Sequence, residues 1–319
     1  MKSSRYLFYF IPKVLWRLIQ NGLIPGSLIL AGCSSFSALP SATAVAVNST
    51  AIILPTIIPT VTLTPYLPEV PTVTPTVPLC SDVQGSIVEQ EIPSGVLGEV
   101  IRTKIYLPPC YDADLSAGYP YIVLLHGQNG DENQWIELGI TALADQFITS
   151  GQAAPMLMFF PFERAYLVDS YQSQYPAALV YDFLPVIDER FNLRPGRENN
   201  AIGGISRGAD WAVRVGLTEW QAFGKIGAHS FTTFYEDFEL LPGWLAQLPL
   251  DETPQFAFDI GARDIYFEYC DRFVNRLKAA GVPLIYQVNE GGHTLNYWSS
   301  HLSDYLKWYL QDWPTNIKN

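Results

Sequence analysis

The sequence predicts an α/β fold for roughly its last 240 residues: a mostly parallel central sheet with helices on both faces. Beyond about residue 120, short apolar runs alternate with longer amphipathic ones, and strands alternating with helices build a parallel sheet covered on both sides. Composition supports a packed interior. The 319 residues are 48% hydrophobic and include 18 Tyr, 17 Phe and 8 Trp, while only 16% are charged, against about 25% in an average soluble protein. Such a chain has too much apolar area to remain disordered.

The expected elements follow in order. Ser86–Ile92 and Val100–Leu107 have no helix between them, so an antiparallel edge is expected there. Tyr121–Leu125 carries no charged residue, as suits a strand covered on both faces. A helix over Trp135–Ile148 leads to a strand at Met156–Phe160, and a helix over Ala178–Phe191 leads to one at Ala201–Ile205. The intervening loop Phe162–Tyr175, with Tyr166, Tyr171 and Tyr175, shows no pattern that assigns it a ligand. Then come a helix over Arg207–Leu217 and strands at Phe223–Ala228 and Gln255–Ile260. A helix over Ile265–Ala280, a strand at Leu284–Val288 and a helix over Thr294–Gln311 complete the series. Residues 80–319 read as one domain.

The N-terminal part is different material. Residues 1–32 hold Lys2, Arg5, Lys13 and Arg17 and no acid, followed by the short apolar stretch Leu23–Ala31, broken by Pro25 and Gly26. A basic region, a short apolar segment and small residues make a secretory signal, and the run is too short for a membrane span. Leu30-Ala31-Gly32-Cys33 resembles the lipobox of bacterial lipoproteins, which implies lipidation of Cys33 and an extracytoplasmic, lipid-anchored chain. Residues 34–79 contain eight Pro, nine Thr, one charge (Glu69) and no Gly. Proline fixes φ and removes a donor, so residues 33–79 are expected as an extended linker, a stalk or simply an unstructured tail.

Charge excludes one class of partner. Lys plus Arg number 19 against 31 Asp plus Glu, a net charge of −12, whereas nucleic-acid binding draws most of its affinity from positive charge. The same acidity disfavours polyanionic substrates.

Gly204-Ile205-Ser206-Arg207-Gly208 matches G-x-S-x-G and falls between an expected strand and an expected helix. A serine on that turn is a nucleophile elbow; the plainer alternative is a glycine-rich turn chosen for packing. A serine hydroxyl needs a base to take its proton as it attacks. Of the four histidines, His293 lies between the last strand and last helix, downstream of the serine, and is the candidate. His301 falls inside the following helix, His229 closes a strand and could line a pocket or sit in the core, and His126 is placed to order the loop after the third strand. The base needs an acid to hold its tautomer. Asp264 follows its strand directly, whereas Asp259 falls inside that strand and Glu268 lies further into the next helix. Two backbone donors should face the developing oxyanion: the amide of Arg207, and one from His126-Gly127-Gln128-Asn129-Gly130, with Gln128 favoured and Gly127 possible.

Tyr106-Leu107-Pro108-Pro109, Tyr111-Asp112, Leu124-Leu125-His126-Gly127, Gly130-Asp131-Glu132-Asn133 and Trp135 occur in that order, as do the residues from Glu198 to Gly208 and Gly291-Gly292-His293. Together they resemble the esterase D group of α/β-hydrolases, which includes feruloyl esterases, enterochelin esterases and mycolyltransferases. The resemblance runs over nearly all of residues 98–311. It implies an α/β-hydrolase fold and a serine ester hydrolase with no metal, nucleotide or other cofactor. Two departures stand out. Cys110 replaces the glycine usual after Pro-Pro, and Ala209-Asp210 replaces the second glycine usual after the elbow, so Asp210 and Trp211 could alter packing behind the serine.

With Cys33 lipidated, Cys80, Cys110 and Cys270 allow at most one intramolecular disulfide. Cys80 and Cys110 flank the two N-terminal strands and are the favoured pair; three free thiols are the alternative. No Cys/His spacing suggests zinc. The expected function is therefore carboxylic ester hydrolysis by Ser206, His293 and Asp264 on a small-molecule or carbohydrate-linked ester. The membrane would be a partner through the lipid anchor, and nucleic acid would not be one. The alternatives are an acyltransferase of the same fold, or a non-catalytic surface-binding lipoprotein on a hydrolase scaffold.

Overall fold

The computed structural model describes residues 80–164 and 168–314. The expected signal, Cys33, the linker and Tyr166 lie outside the described residues. Among the described residues, eight strands form one sheet: β1 (Ser86–Ser94), β2 (Glu99–Leu107), β3 (Tyr121–Leu125), β4 (Leu157–Pro161), β5 (Asn200–Ile205), β6 (Lys225–His229), β7 (Gln255–Gly261) and β8 (Leu284–Asn289). Their spatial order is β1-β2-β4-β3-β5-β6-β7-β8. β1 pairs antiparallel with β2, and β2 antiparallel with β4; from β4 onward every pair is parallel. This is the mostly parallel sheet with an antiparallel edge that the sequence predicts.

Burial explains why the central strands read as unbroken apolar runs. Every residue of β3, β4, β5 and β6 is buried, because helices cover both faces, while the edge strand β8 alternates in exposure. One side is packed by α3 (Tyr175–Ala178), α4 (Leu184–Arg190), α5 (Arg207–Thr218), α6 (Asp237–Leu245) and α7 (Phe267–Ala279), whose core includes Phe183, Trp211 and Phe273. The other side is packed by α1 (Gln134–Leu138), α2 (Ile140–Thr149) and α8 (Leu295–Leu310), with Trp135, Phe147, Leu306 and Tyr309. Among the described residues no helix is long and apolar enough to cross a membrane.

Three elements differ from expectation for identifiable reasons. The single helix expected over 135–148 is two, because Gly139 adopts φ 101°, a left-handed conformation that ends α1 and starts α2. The helix expected over 178–191 begins earlier, at Tyr175, and passes through a π turn at Leu179–Phe183 before α4. Pro185 has no N–H for the regular ladder, and the wider turn absorbs the missing bond. Helix α6 is additional to the expected elements, and it forms although Pro242, which has no N–H to donate, lies within it.

Cys80 and Cys110 form a disulfide that closes a separation of 30 residues. Cys110 sits at φ 58°, a left-handed position where glycine is at ease, which accounts for the glycine in the related pattern. The bridge has a definite place on the sheet. Ser86 pairs with Leu107 and Tyr106 with Met158, so the start of β1 and the end of β2 lie beside the amino-terminal edge of the parallel strands. Cys270 is a buried free thiol, and loss of hydration pushes its pKa up.

Candidate active site

Parallel register brings the carboxyl ends of β3, β5, β6 and β7 level. Leu125 pairs with Gly204, and Ile205, His229 and Asp259 lie in one row across β5, β6 and β7. Loops leaving that edge converge, which is where open α/β sheets build their sites. Ser206 occupies the turn from β5 to α5 at φ 55° and ψ −123°. Such a conformation persists only where its surroundings hold it. The Ser206 amide donates to His229 O at 2.9 Å, and its carbonyl accepts from the amides of Ala209 (2.8 Å) and Asp210 (3.2 Å). The flanking glycines allow backbones to touch: a Cβ on Gly204 would stand 2.2 Å from the Gly208 carbonyl carbon, and one on Gly208 would stand 2.4 Å from Leu125 O.

The structure brings Ser206, His293 and Asp264 together. His293 Nδ1 lies 2.9 Å from Asp264 Oδ2, and its Nε2 lies 2.9 Å from Ser206 Oγ. Asp264 is buried, and its other oxygen accepts from the Tyr266 amide at 2.9 Å. A carboxylate only accepts, so Nδ1 carries the proton, and Nε2 is left to receive the Ser206 hydroxyl. Tyr266 and Trp298 pack edge-on to the imidazole at 5.0 and 5.1 Å, and Trp298 is itself tied to Ser230 Oγ by a 2.9 Å bond.

Asp259 and His229 belong to a separate buried cluster. His229 Nδ1 lies 2.6 Å from Asp259 Oδ1, and the hydroxyls of Tyr297 (2.8 Å) and Tyr305 (2.9 Å) donate to Asp259 Oδ2. Asp259 is thereby fully occupied away from His293. Glu268 is exposed at the start of α7. His301 turns back onto Tyr297 O.

The two backbone donors are also distinguished. The Gly127 amide donates to Gln134 Oε1 at 2.7 Å and is spoken for. Among the described residues, the amides of Gln128 and Arg207 have no protein acceptor. His126 orders the first of these loops. Its Nδ1 is 2.7 Å from Gly127 O, and its Nε2 accepts the Glu163 amide at 2.9 Å, so the proton is on Nδ1. Burial holds this imidazole below its usual pKa, which keeps it neutral.

Glu163 was not found from sequence. It follows β4 in the loop that offers no pattern, and a lone acid just past an apolar strand is its only signal. Its carboxylate accepts from Arg207 Nε (2.9 Å), Arg207 Nη2 (2.7 Å) and Trp211 Nε1 (2.9 Å). Asp210, the departure after the elbow, accepts from the amides of Thr232 (2.8 Å) and Thr233 (2.9 Å) and from the Thr232 hydroxyl. Burial outweighs those donors and pushes its carboxyl up to about 7. Trp135, Phe231 and Trp298 are buried in packing, whereas Tyr235 is exposed. A shallow cleft of about 240 Å³ opens between α1 and the start of α8, lined by Gln134, Leu138, Leu295 and Asn296.

The Esterase family model matches residues 94–309, a span that holds the elbow, Asp264 and His293. The chain belongs to the Esterase family. Over 155 residues this esterase is 28% identical to the uncharacterized protein YbbA of Bacillus subtilis, a match covering 43% of the chain and 58% of YbbA. Over 160 residues it is 24% identical to the endo-1,4-beta-xylanase/feruloyl esterase of Xylanibacter ruminicola, covering 47% of the chain and 22% of that protein. The esterase thus spans less than two thirds of the length of either curated relative. Its fold is similar to that of a solved ferulic acid esterase, with a TM-score of 0.63 and 22% identity over 72% of this chain and 99% of the other. The α/β-hydrolase fold expected from the sequence is the one found.

Proposed function

We propose that this esterase is an exported, lipid-anchored carboxylic ester hydrolase that works through an acyl-enzyme on Ser206. One observation carries the catalytic part: the continuous hydrogen-bonded chain from Asp264 through His293 to Ser206 on a strained turn. Ser206 Oγ attacks the ester carbonyl carbon as its proton passes to His293 Nε2, and Asp264 stabilises the imidazolium through Nδ1. The carbonyl oxygen takes the negative charge and is held by the Gln128 and Arg207 amides. When the tetrahedral intermediate collapses, His293 gives its proton to the leaving alkoxide. Water then repeats the sequence, releasing the acid and restoring the serine. The substrate is a small-molecule or carbohydrate-linked ester, a reading supported by the names of the feruloyl esterase relatives.

Hydrolysis of p-nitrophenyl acetate by the purified chain should fall by about 10⁴-fold or more in Ser206→Ala. A fluorophosphonate should label Ser206 alone. Equal rates for the two proteins, or label on another residue, would overturn the reading. For the anchor, Cys33→Ala should move the chain from the membrane to the soluble fraction of an expressing bacterium, and an unchanged distribution would refute lipidation. A panel of feruloyl, acetyl-sugar and short-chain esters then ranks substrates by kcat/KM.

A further inference from the structure

We infer that Glu163 is a positioning residue that aims both oxyanion donors, its backbone holding one and its carboxylate the other. The inference rests on the esterase reading above. Glu163 is almost fully buried, with a side-chain exposure of 3%, and so is its partner Arg207 at 10%. A buried ion pair stabilises a fold poorly compared with apolar residues of the same size, because both charges lose their hydration. Three donors converge on this one carboxylate, and Arg207 is the residue next to the nucleophile in the chain.

Peptide geometry shows what the arrangement accomplishes. A trans peptide is planar, so its C=O and the N–H of the next residue point in opposite directions. Gly127 O is held by His126 Nδ1–H at 2.7 Å, which turns the Gln128 N–H away from His126. The Glu163 amide donates to His126 Nε2 at 2.9 Å and so favours the tautomer that carries its proton on Nδ1. The Arg207 N–H shares a peptide with Ser206 O, which the first turn of α5 holds. The Arg207 side chain is clamped in two places by the Glu163 carboxylate and lies over Trp211 and Phe234, at 5.0 and 5.2 Å. One residue thus couples the loop after β3 to the turn after β5. Donors aimed before the charge develops need no reorganisation during the reaction, which makes such a hub worth its buried charge.

The test compares the full chain with Glu163→Gln and Trp211→Phe, using p-nitrophenyl acetate and phenylboronic acid, whose adduct on the serine mimics the tetrahedral intermediate. Glu163→Gln should lower kcat by roughly 10- to 100-fold with KM within about twofold, somewhat less than the loss of a whole oxyanion donor. The inhibition constant of the boronic acid should weaken by the same factor. The pH midpoint of the rate should not move, since the His293–Asp264 contact is untouched. Trp211→Phe keeps the ion pair and an aromatic ring, removes one donor and leaves a small void, so a loss of about two- to fivefold in both quantities is expected, with a modest loss of stability. It decides the matter if Glu163→Gln does not fold. A fall in kcat without a matching loss of boronate affinity, a shifted pH midpoint, or unchanged rates would overturn the role of Glu163. Activity surviving in Ser206→Ala would instead overturn the esterase reading beneath it.

Discussion

Asp264 and Asp259 stand five residues apart, one just past β7 and one inside it, and they serve different histidines. Asp264→Asn should lower kcat by roughly 10⁴-fold while leaving the melting temperature nearly unchanged, because it disturbs the tautomer of His293. Asp259→Asn should do the reverse. It breaks a buried cluster that includes His229, Tyr297 and Tyr305 and should cost about 3–5 kcal/mol of stability, with kcat of the folded fraction reduced far less. Denaturant titration beside initial rates separates the two; a catalytic loss at Asp259 as large as that at Asp264 would contradict the assignment. The positions of Ser206, Asp264 and His293 were legible because each follows its own strand in a fixed chain order. Glu163 and the tautomer of His126 were not, because they depend on contacts across 37 and 44 residues that leave no spacing in the sequence.

At the scale of elements, periodicity located every strand, because five-residue runs buried on both faces have no other use for so many apolar side chains. Helices were less legible where proline or glycine redirects the backbone, as at Gly139, Pro185 and Pro242. Gly139 offers a clean test of that logic. A Cβ there would meet nothing within 4 Å, so Gly139→Ala changes only the backbone energy at φ 101°. It should destabilise the fold by about 1–2 kcal/mol, read from the urea midpoint, with activity of the folded protein intact. No loss of stability would mean that α1 and α2 can join without the left-handed residue.

For the whole molecule, two buried carboxyls shape the response to pH. Burial pushes Asp210 and Asp237 each up to about 7, whereas unfolded aspartates titrate near 4. Between about pH 4 and pH 7 the folded chain therefore holds more protons than the unfolded chain, so this contribution to stability is full below about 4 and is lost as pH rises through about 7. Asp210→Asn keeps an oxygen for the amides of Thr232 and Thr233 and removes the titration. It should flatten the decline measured by urea unfolding between about pH 4.5 and pH 7.5, and an equally steep decline would contradict the assignment.

The Cys80–Cys110 bridge follows strand ends at one pole of the sheet and Ser206 lies at the other, the six residues of β5 spanning about 20 Å between the two edges. A distortion introduced at the bridge, by reduction for example, therefore enters the fold at the end of the sheet remote from the nucleophile, and ester turnover should outlast the loss of the disulfide as long as the sheet holds.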